Sequence, residues 1–311
     1  MTTTPSVDPA TIFVQAAPRD AASWTALARR VEQLGLGGLY VADHPGTAPS
    51  PFVALAAAAA VTDRITLGTC VVNAGLWHPI DLAAAVATLD LVSDGRALLG
   101  IGAGHTPQEW TVRGRPAPNG SARIARLAEV VDAARALLRG DLVTSHGEHV
   151  TLEGASLAAP LPPGHDVPLM IGGNGPQLLE LAAREADVVG ITGLGRTLPD
   201  GHRHMVEWSP DAVTDTIERV RRVARDGGKH PQVEALVQRI EITDDAAGFA
   251  ATMAAAIDGA EPADVLAAPY VWVGSVDEIR AELDRHRDAG IDRWVVRDSA
   301  LDAVAAIVGR D

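Results

Sequence analysis

The chain has 311 residues, 47% of them hydrophobic, and a formal charge of −14 at pH 7. That size allows one large domain or two ordinary ones, and so acidic a surface repels phosphate backbones and anionic lipid, which argues against nucleic-acid and membrane partners. A single cysteine excludes a disulfide framework, and residues 1–10 lack a basic segment followed by an apolar core, so the sequence reads as cytoplasmic and without a signal peptide.

Short β-rich runs alternate with longer helical patterns. Strands are predicted at Thr11–Gln15, Gly38–Ala42, Ile65–Val72, Ala97–Ile101, Leu169–Ile171, Asp187–Ile191, Ala235–Ile242 and Asp292–Val296. They are near-continuous apolar runs, the pattern of strands covered on both faces in a parallel sheet. The run FVALAAAAAV from Phe52 is too short to span a bilayer and reads as a packed helix. Pro79 suits a first helical position, Ser209–Pro210 pairs a cap with proline at N1, and Ser275 to Glu278 is a capping box. Eight strands, each followed by a helix, predict an α/β fold of the (β/α)8 TIM-barrel type, as one domain over residues 1–311. Insertions are expected after strands 4, 6 and 7, at 102–166, 192–210 and 243–271; the first holds a predicted hairpin, LVTSHGEHVTL, turning at Gly147. A doubly wound dinucleotide sheet competes only through GIGAGH, where His105 replaces the third glycine of the fingerprint.

In such a barrel the chemistry belongs where strands end. Strand two delivers Asp43 and His44, which read equally as an acid/base pair or as the start of a capped loop. Strand three delivers Cys70, Val71 and Asn73, then Trp77 and His78; Cys70 reads as a small buried apolar residue. Strand four delivers Gly102 to His105, then Glu109 and Trp110, a glycine loop that must lie close to something flat or bulky. Strand five runs into IGGNGP, Ile171 to Pro176, which is either a phosphate cradle at a helix N-terminus or an ordinary tight turn. Ile191 and Thr192 end strand six, and Arg297 ends strand eight. His202 and His204 form an H-x-H pair that could bind zinc, but nothing else has ligand spacing, and the expectation is no metal.

Taken in order, the blocks GLGGLYVADH, RITLGTCVVNAGLWHP, TLDLVSDGRALLGIGAGH, RIARLAEVVDAARALLRGD, VPLMIGGNGPQLLELAAREADVVGI and VGSVDEIRAELDRHRDAGIDRWVV resemble the bacterial luciferase-like monooxygenase superfamily, from about Phe13 to Val296. The chain is most similar to the branch that uses coenzyme F420, a deazaflavin. The resemblance implies that His44 contacts the reacting ring and assists hydride transfer, and that Glu109 is the acid that donates a proton. It implies a cis peptide between Cys70 and Val71, behind the ring. It places Asp43, Asn73, Gly104, His105, Thr106, Gly172, Gly173, Asn174, Gly175, Ile191 and Thr192 around the cofactor. Trp77, Trp110, His202, His204, Trp208 and Arg297 are candidates for the substrate pocket or its lid.

The family's sugar-phosphate dehydrogenases carry an aromatic residue shortly after the aspartate–histidine pair, whereas this chain has PGTAPSP, and its one lysine is Lys229, away from the strand ends. Both departures speak against a sugar-phosphate substrate. The resemblance thus implies hydride exchange between coenzyme F420 and an organic small molecule, in a homodimer. The alternative is a flavin mononucleotide-dependent monooxygenase of the same superfamily, fed by a partner reductase for flavin or F420. A non-catalytic cofactor-binding barrel and a metal-dependent hydrolase are further readings.

Overall fold

The computed structural model describes residues 7–197 and 204–309. In chain order the first elements are β1 (Ile12–Gln15), α1 (Ala21–Gln33), β2 (Gly38–Val41), α2 (Pro51–Ala59), β3 (Thr66–Thr69) and β4 (Val72–Asn73). Then come α3 (Pro79–Ser93), β5 (Ala97–Gly102), α4 (Pro107–Thr111), α5 (Gly120–Leu138), β6 (Val143–His146), β7 (Thr151–Ala155) and β8 (Leu169–Gly172). The rest are α6 (Pro176–Glu185), β9 (Val188–Ile191), β10 (Leu194–Thr197), β11 (His204–Val206), α7 (Pro210–Asp226), β12 (Gln232–Leu236), β13 (Arg239–Ile242), α8 (Ala246–Ala255), α9 (Pro262–Ala267), β14 (Val271–Gly274), α10 (Val276–Asp288), β15 (Arg293–Arg297) and α11 (Leu301–Val308).

The main sheet has the order β3-β2-β1-β15-β12-β9-β8-β5-β4, and β3 also pairs with β5. With β4 as the continuation of β3, this is the strand order of a parallel (β/α)8 barrel. Strands β1, β2 and β5 are buried along their whole length, which is why their sequences are apolar without alternation. By its contacts the chain falls into two compact units, one of residues 17–30 and 39–172 and one taking in 1–16, 31–38 and 173–311.

In the unit of residues 39–172, β5 is the central strand. It pairs with β3 (Leu67 opposite Ala97), with β4 (Asn73 opposite Gly102) and with β8 (Leu99 opposite Leu169). Helices α2 and α3 both begin on proline and pack their alanine and leucine faces inward. The Asn119 side chain caps α5, and β6 and β7 form the expected antiparallel hairpin across 147–150. In the other unit β15 pairs with β1 and β12, and β12 with β9. Ser209 caps α7 ahead of Pro210, and the capping box at Ser275 and Glu278 is complete.

Two strand predictions need correction. The third strand does not run unbroken to Val72: it stops at Thr69 and resumes as β4 beyond the Cys70–Val71 peptide, which is cis. The seventh strand is Gln232–Leu236, and the residues Arg239–Ile242 pair instead with Val271–Gly274. The strand starts before Ala235 and includes Glu234, which is 1% exposed and whose Oε2 accepts a hydrogen bond from Arg293 Nε at 2.6 Å. Among the described residues no helix is long and apolar enough to cross a membrane.

Candidate active site

The end of β2 places the first pair. Leu39, Tyr40 and Val41 are fully buried, and the chain emerges at Asp43, which remains buried, and His44, whose side chain is 46% exposed. The His44 carbonyl accepts the N–H groups of Thr47 (3.0 Å) and Ala48 (2.8 Å), which closes a tight turn containing Gly46 at φ 88°. That turn fixes where the imidazole starts.

The β3–β4 segment supplies the second group. Thr69 is fully buried; its hydroxyl donates to Gly100 O (2.7 Å) and accepts from Gly100 N–H (3.0 Å). A side chain at position 100 would collide with the Thr69 carbonyl, so glycine is required there. Asn73 works in two directions: its Oδ1 accepts the Gly75 N–H at 2.8 Å, an Asx turn, and its Nδ2 donates to Glu109 Oε2 at 2.7 Å. Gly104, at φ 74°, faces the Asn73 amide so closely that a Cβ would overlap it. The bulky group that this glycine loop accommodates therefore includes Asn73 itself.

Helix α4 supplies the third. Pro107 starts it, Glu109 stands in its first turn at 7% exposure, and the indole of Trp110 lies against Gly75, where a methyl group would strike the ring. The second carboxylate oxygen of Glu109 meets His44 Nδ1 at 2.7 Å. Burial alone would raise the Glu109 pKa, but the hydrogen bonds from His44 and Asn73 outweigh it and hold the carboxyl below its ordinary value. Glu109 is thus an ionised acceptor, and the proton in that contact sits on His44 Nδ1. Asp43 behaves oppositely: burial raises its pKa, although Trp77 Nε1 donates to its Oδ2 at 2.7 Å, and the charge of Glu109 pushes the same way as burial. His105 is exposed, with its ring edge-on to His44 at 6.4 Å between centroids.

Asp43, His44, Cys70, Val71, Asn73, Trp77, Gly104, His105, Thr106, Glu109, Trp110 and Gly172 all fall in one unit. Three readings change. Cys70 is half-buried instead of buried. Trp110 is packed on Gly75 with the Arg115 guanidinium 5.5 Å from its ring centroid, and Trp77 is an anchor for Asp43 with its ring 5.3 Å from Phe52. Thr69 and Gly75 were not singled out from sequence; a threonine directly before the predicted cis peptide and a glycine two residues after Asn73 were the available signals.

In the other unit Asn174 and Thr192 hold each other, Nδ2 donating to Oγ1 and the Thr192 N–H to Oδ1 at 2.9 Å. Gly173 donates to Gly190 O, and Gly175 precedes Pro176 at the start of α6 with no side-chain cap and open space around it. Ile191 ends β9 and is buried, while Arg297 ends β15 half-buried. His204 opens β11; His202 lies outside the described residues. Trp208 is buried beside Tyr270, 6.1 Å between ring centroids, and burial pushes the Tyr270 phenol well above its ordinary pKa. Among the described residues no cluster of three or more His, Cys, Asp or Glu is placed to hold a metal ion.

The family model described as luciferase-like monooxygenase matches residues 7–311. The chain belongs to the luciferase-like monooxygenase family. Among curated relatives of this family member is an F420-dependent glucose-6-phosphate dehydrogenase of Beutenbergia cavernae, 37% identical over an alignment of 193 residues that covers 59% of this chain and 56% of that protein. The matched stretch thus spans little more than half of that relative. Among solved structures, an F420-dependent secondary alcohol dehydrogenase in complex with an F420–acetone adduct superposes with a TM-score of 0.75 at 22% identity, covering 97% of this chain and 99% of that one. An EDTA monooxygenase from a Chelativorans species gives a TM-score of 0.75 at 16% identity, covering 96% and 93%. These two show the shared barrel fold.

Proposed function

We propose that this luciferase-like protein is an oxidoreductase that exchanges a hydride between coenzyme F420 and a small organic substrate, at the strand ends where His44, Asn73 and Glu109 meet. The observation that carries the reading is the chain Asn73–Glu109–His44, with both carboxylate oxygens engaged at 2.7 Å. The relatives' dependence on F420 supports the cofactor.

The residues present fit that group. The first turn of α6 has no side-chain cap and Gly175 borders open space, so a phosphate of the cofactor's tail can take the cap's place at the helix N-terminus. Gly172, Gly173, Asn174, Ile191 and Thr192 are assigned to the same role, and Asp43, Cys70, Val71, Gly104, His105 and Thr106 to the ring. When bound, the deazaflavin supplies the carbon that accepts or gives up the hydride. The protein's own residues manage the proton. Glu109 stays ionised and keeps the His44 proton on Nδ1, so Nε2 carries the lone pair that takes a proton from the substrate as its carbon loses hydride. In the reverse direction the imidazole returns it. Glu109 therefore acts through His44, which refines its sequence-based role as the direct donor.

The relatives named as glucose-6-phosphate dehydrogenases do not extend to the substrate here. Lys229, the chain's one lysine, is exposed in the connection between α7 and β12, and no lysine stands at a strand end to meet a sugar phosphate. Trp77, Trp110 and Trp208 are taken up by packing and by the bond to Asp43, so His202, His204 and Arg297 remain the proposed substrate-side residues. A second reading, a flavin mononucleotide-dependent monooxygenase served by a reductase, draws on the family and on the solved EDTA monooxygenase. Titrating the protein with F420 and with flavin mononucleotide, followed by fluorescence, decides between them: F420 binding is expected, and binding of flavin mononucleotide alone overturns the cofactor assignment.

We also propose a cytoplasmic homodimer. Helices α2 and α3 leave Val53 (72%), Leu91 (74%) and Val92 (52%) exposed, apolar side chains that a second copy can cover. Sedimentation at micromolar concentration tests it, and a monomer refutes it.

A further inference from the structure

Helix α5 and the β6–β7 hairpin contribute nothing to the relay just described, yet they reach it through one side chain. Arg126, half-buried on α5, spreads its guanidinium over three main-chain carbonyls. Nε donates to Ala74 O at 3.1 Å, Nη2 to Trp77 O at 3.1 Å and Nη1 to His149 O at 2.6 Å. Ala74 and Trp77 bracket the turn that leaves Asn73, so two of the three bonds hold the two sides of one short loop. Three residues further along the same face of the helix, Glu129 accepts the N–H groups of Glu148 (3.1 Å), His149 (3.0 Å) and Val150 (2.8 Å). The hairpin tip is thus tied to Glu129 by its amides and to Arg126 by a carbonyl, and Arg126 carries the tie on to the loop.

We propose that Arg126 is a positioning residue for the reaction: braced by Glu129 and the hairpin tip, it fixes the Ala74–Trp77 loop so that Asn73 meets Glu109 and Trp77 meets Asp43. It rests on the reading of Glu109 and His44 as the proton relay. The geometry explains why arginine stands here. Its rigid planar fork presents several donors at once to separately placed acceptors, whereas a lysine offers a single compact ammonium. The groups that face Glu109 are His44 from the loop after β2, Asn73 from β4 and His105 from the loop after β5, with Asp43 feeling its charge. Only Asn73 among them adjoins the segment that Arg126 holds.

The test follows the Glu109 carboxyl by carbon NMR as pH is varied, in the full-length protein with isotopically labelled glutamate and Glu109→Gln for assignment. In the wild type Glu109 is expected to titrate below the ordinary glutamate range. Arg126→Met is expected to shift that titration upward, Arg126→Lys to recover part of the shift, and Glu129→Gln to move it the same way by less. A folded Arg126→Met protein with an unshifted Glu109, even one with a lower melting temperature, overturns the proposal, because a merely structural arginine costs stability without moving that carboxyl. Should Arg126→Met fail to fold, Glu129→Gln decides, and an unshifted Glu109 there overturns it equally. F420 is added to each variant as a separate probe: a wild type that does not bind it sinks the cofactor reading but leaves the positioning role to stand or fall on the titration.

Discussion

The two ends of β5 hold opposite kinds of polar cluster. Just before the strand begins, Arg96 donates to Ser93 O (2.6 Å), Thr62 Oγ1 (3.1 Å), Thr62 O (2.9 Å), Ile65 O (3.0 Å) and Ala59 O (3.2 Å). Just after it ends come Gly104, Glu109 and their partners Asn73 and His44. Both clusters are dense and partly buried, and both join segments distant in sequence. The difference lies in what the central side chain does. Arg96 spends its donors on carbonyls and a hydroxyl and so ties chain segments together. The second joins an imidazole to a carboxyl held below its ordinary pKa, beside Asp43, whose pKa is raised, an arrangement that suits the proposed proton transfer. A barrel divides labour in this way, stability at one end of its strands and chemistry at the other.

That contrast can be broken experimentally. The largest effect is expected from His44→Gln or Glu109→Gln: a loss of roughly 10²–10⁴-fold in turnover on an identified substrate, about 3–5 kcal/mol of barrier. Chemical denaturation should find folding nearly unchanged in His44→Gln, while Glu109→Gln also loses the stabilisation that its depressed pKa represents. Arg96→Met should do the reverse, lowering unfolding free energy by about 2–4 kcal/mol through its orphaned carbonyls while F420 affinity holds. If the Arg96 variant moved the Glu109 titration, the division between the two ends would not be real.

A smaller effect concerns pH. Because Glu109 has a depressed pKa in the fold, its favourable contribution is present above the ordinary carboxylate range and is lost as pH falls through the depressed value. Asn73→Ala should move that loss to higher pH, visible as an earlier acid limb in the rate profile. Asp43, with its raised pKa, has the opposite sign: its contribution is present below the ordinary range and lost as pH rises through the raised value. Smallest in stability is the helix face. Val53→Glu with Leu91→Glu should leave protomer stability within about 0.5 kcal/mol per exposed site, yet sediment as a monomer.

Much of this was visible from residue pattern alone, and particular residues show why. The strands of the barrel announce themselves because both faces are covered, and the caps at Ser209 and Ser275 use local hydrogen bonds that any reader of the sequence can place. What pattern cannot show is pairing across distance. His44 and Glu109 are 65 residues apart, and only the fold brings Nδ1 to Oε1. Glu234 belongs to β12 although it is charged, and its partner, Arg293, lies 59 residues away. Gly104 was rightly read as a point of close approach, but the approaching group is Asn73, known only once β4 is seen beside β5. Arg126 was legible only as part of a family-like block, since its acceptors are carbonyls, which every residue has.

Asn73 has one more consequence, and it concerns ageing. Asparagine deamidates when the nitrogen of the following residue attacks its side-chain amide carbon, a step that needs both groups free to swing together. Here the Ala74 N–H is bound to Gly102 O at 2.9 Å, and the amide is held at Oδ1 by Gly75 and at Nδ2 by Glu109. The product would set a second negative charge against Glu109, in a contact that now depends on a donor. The fold therefore shields, from the slow chemistry of storage, an amide whose conversion would set that charge inside the proposed relay without cutting the chain.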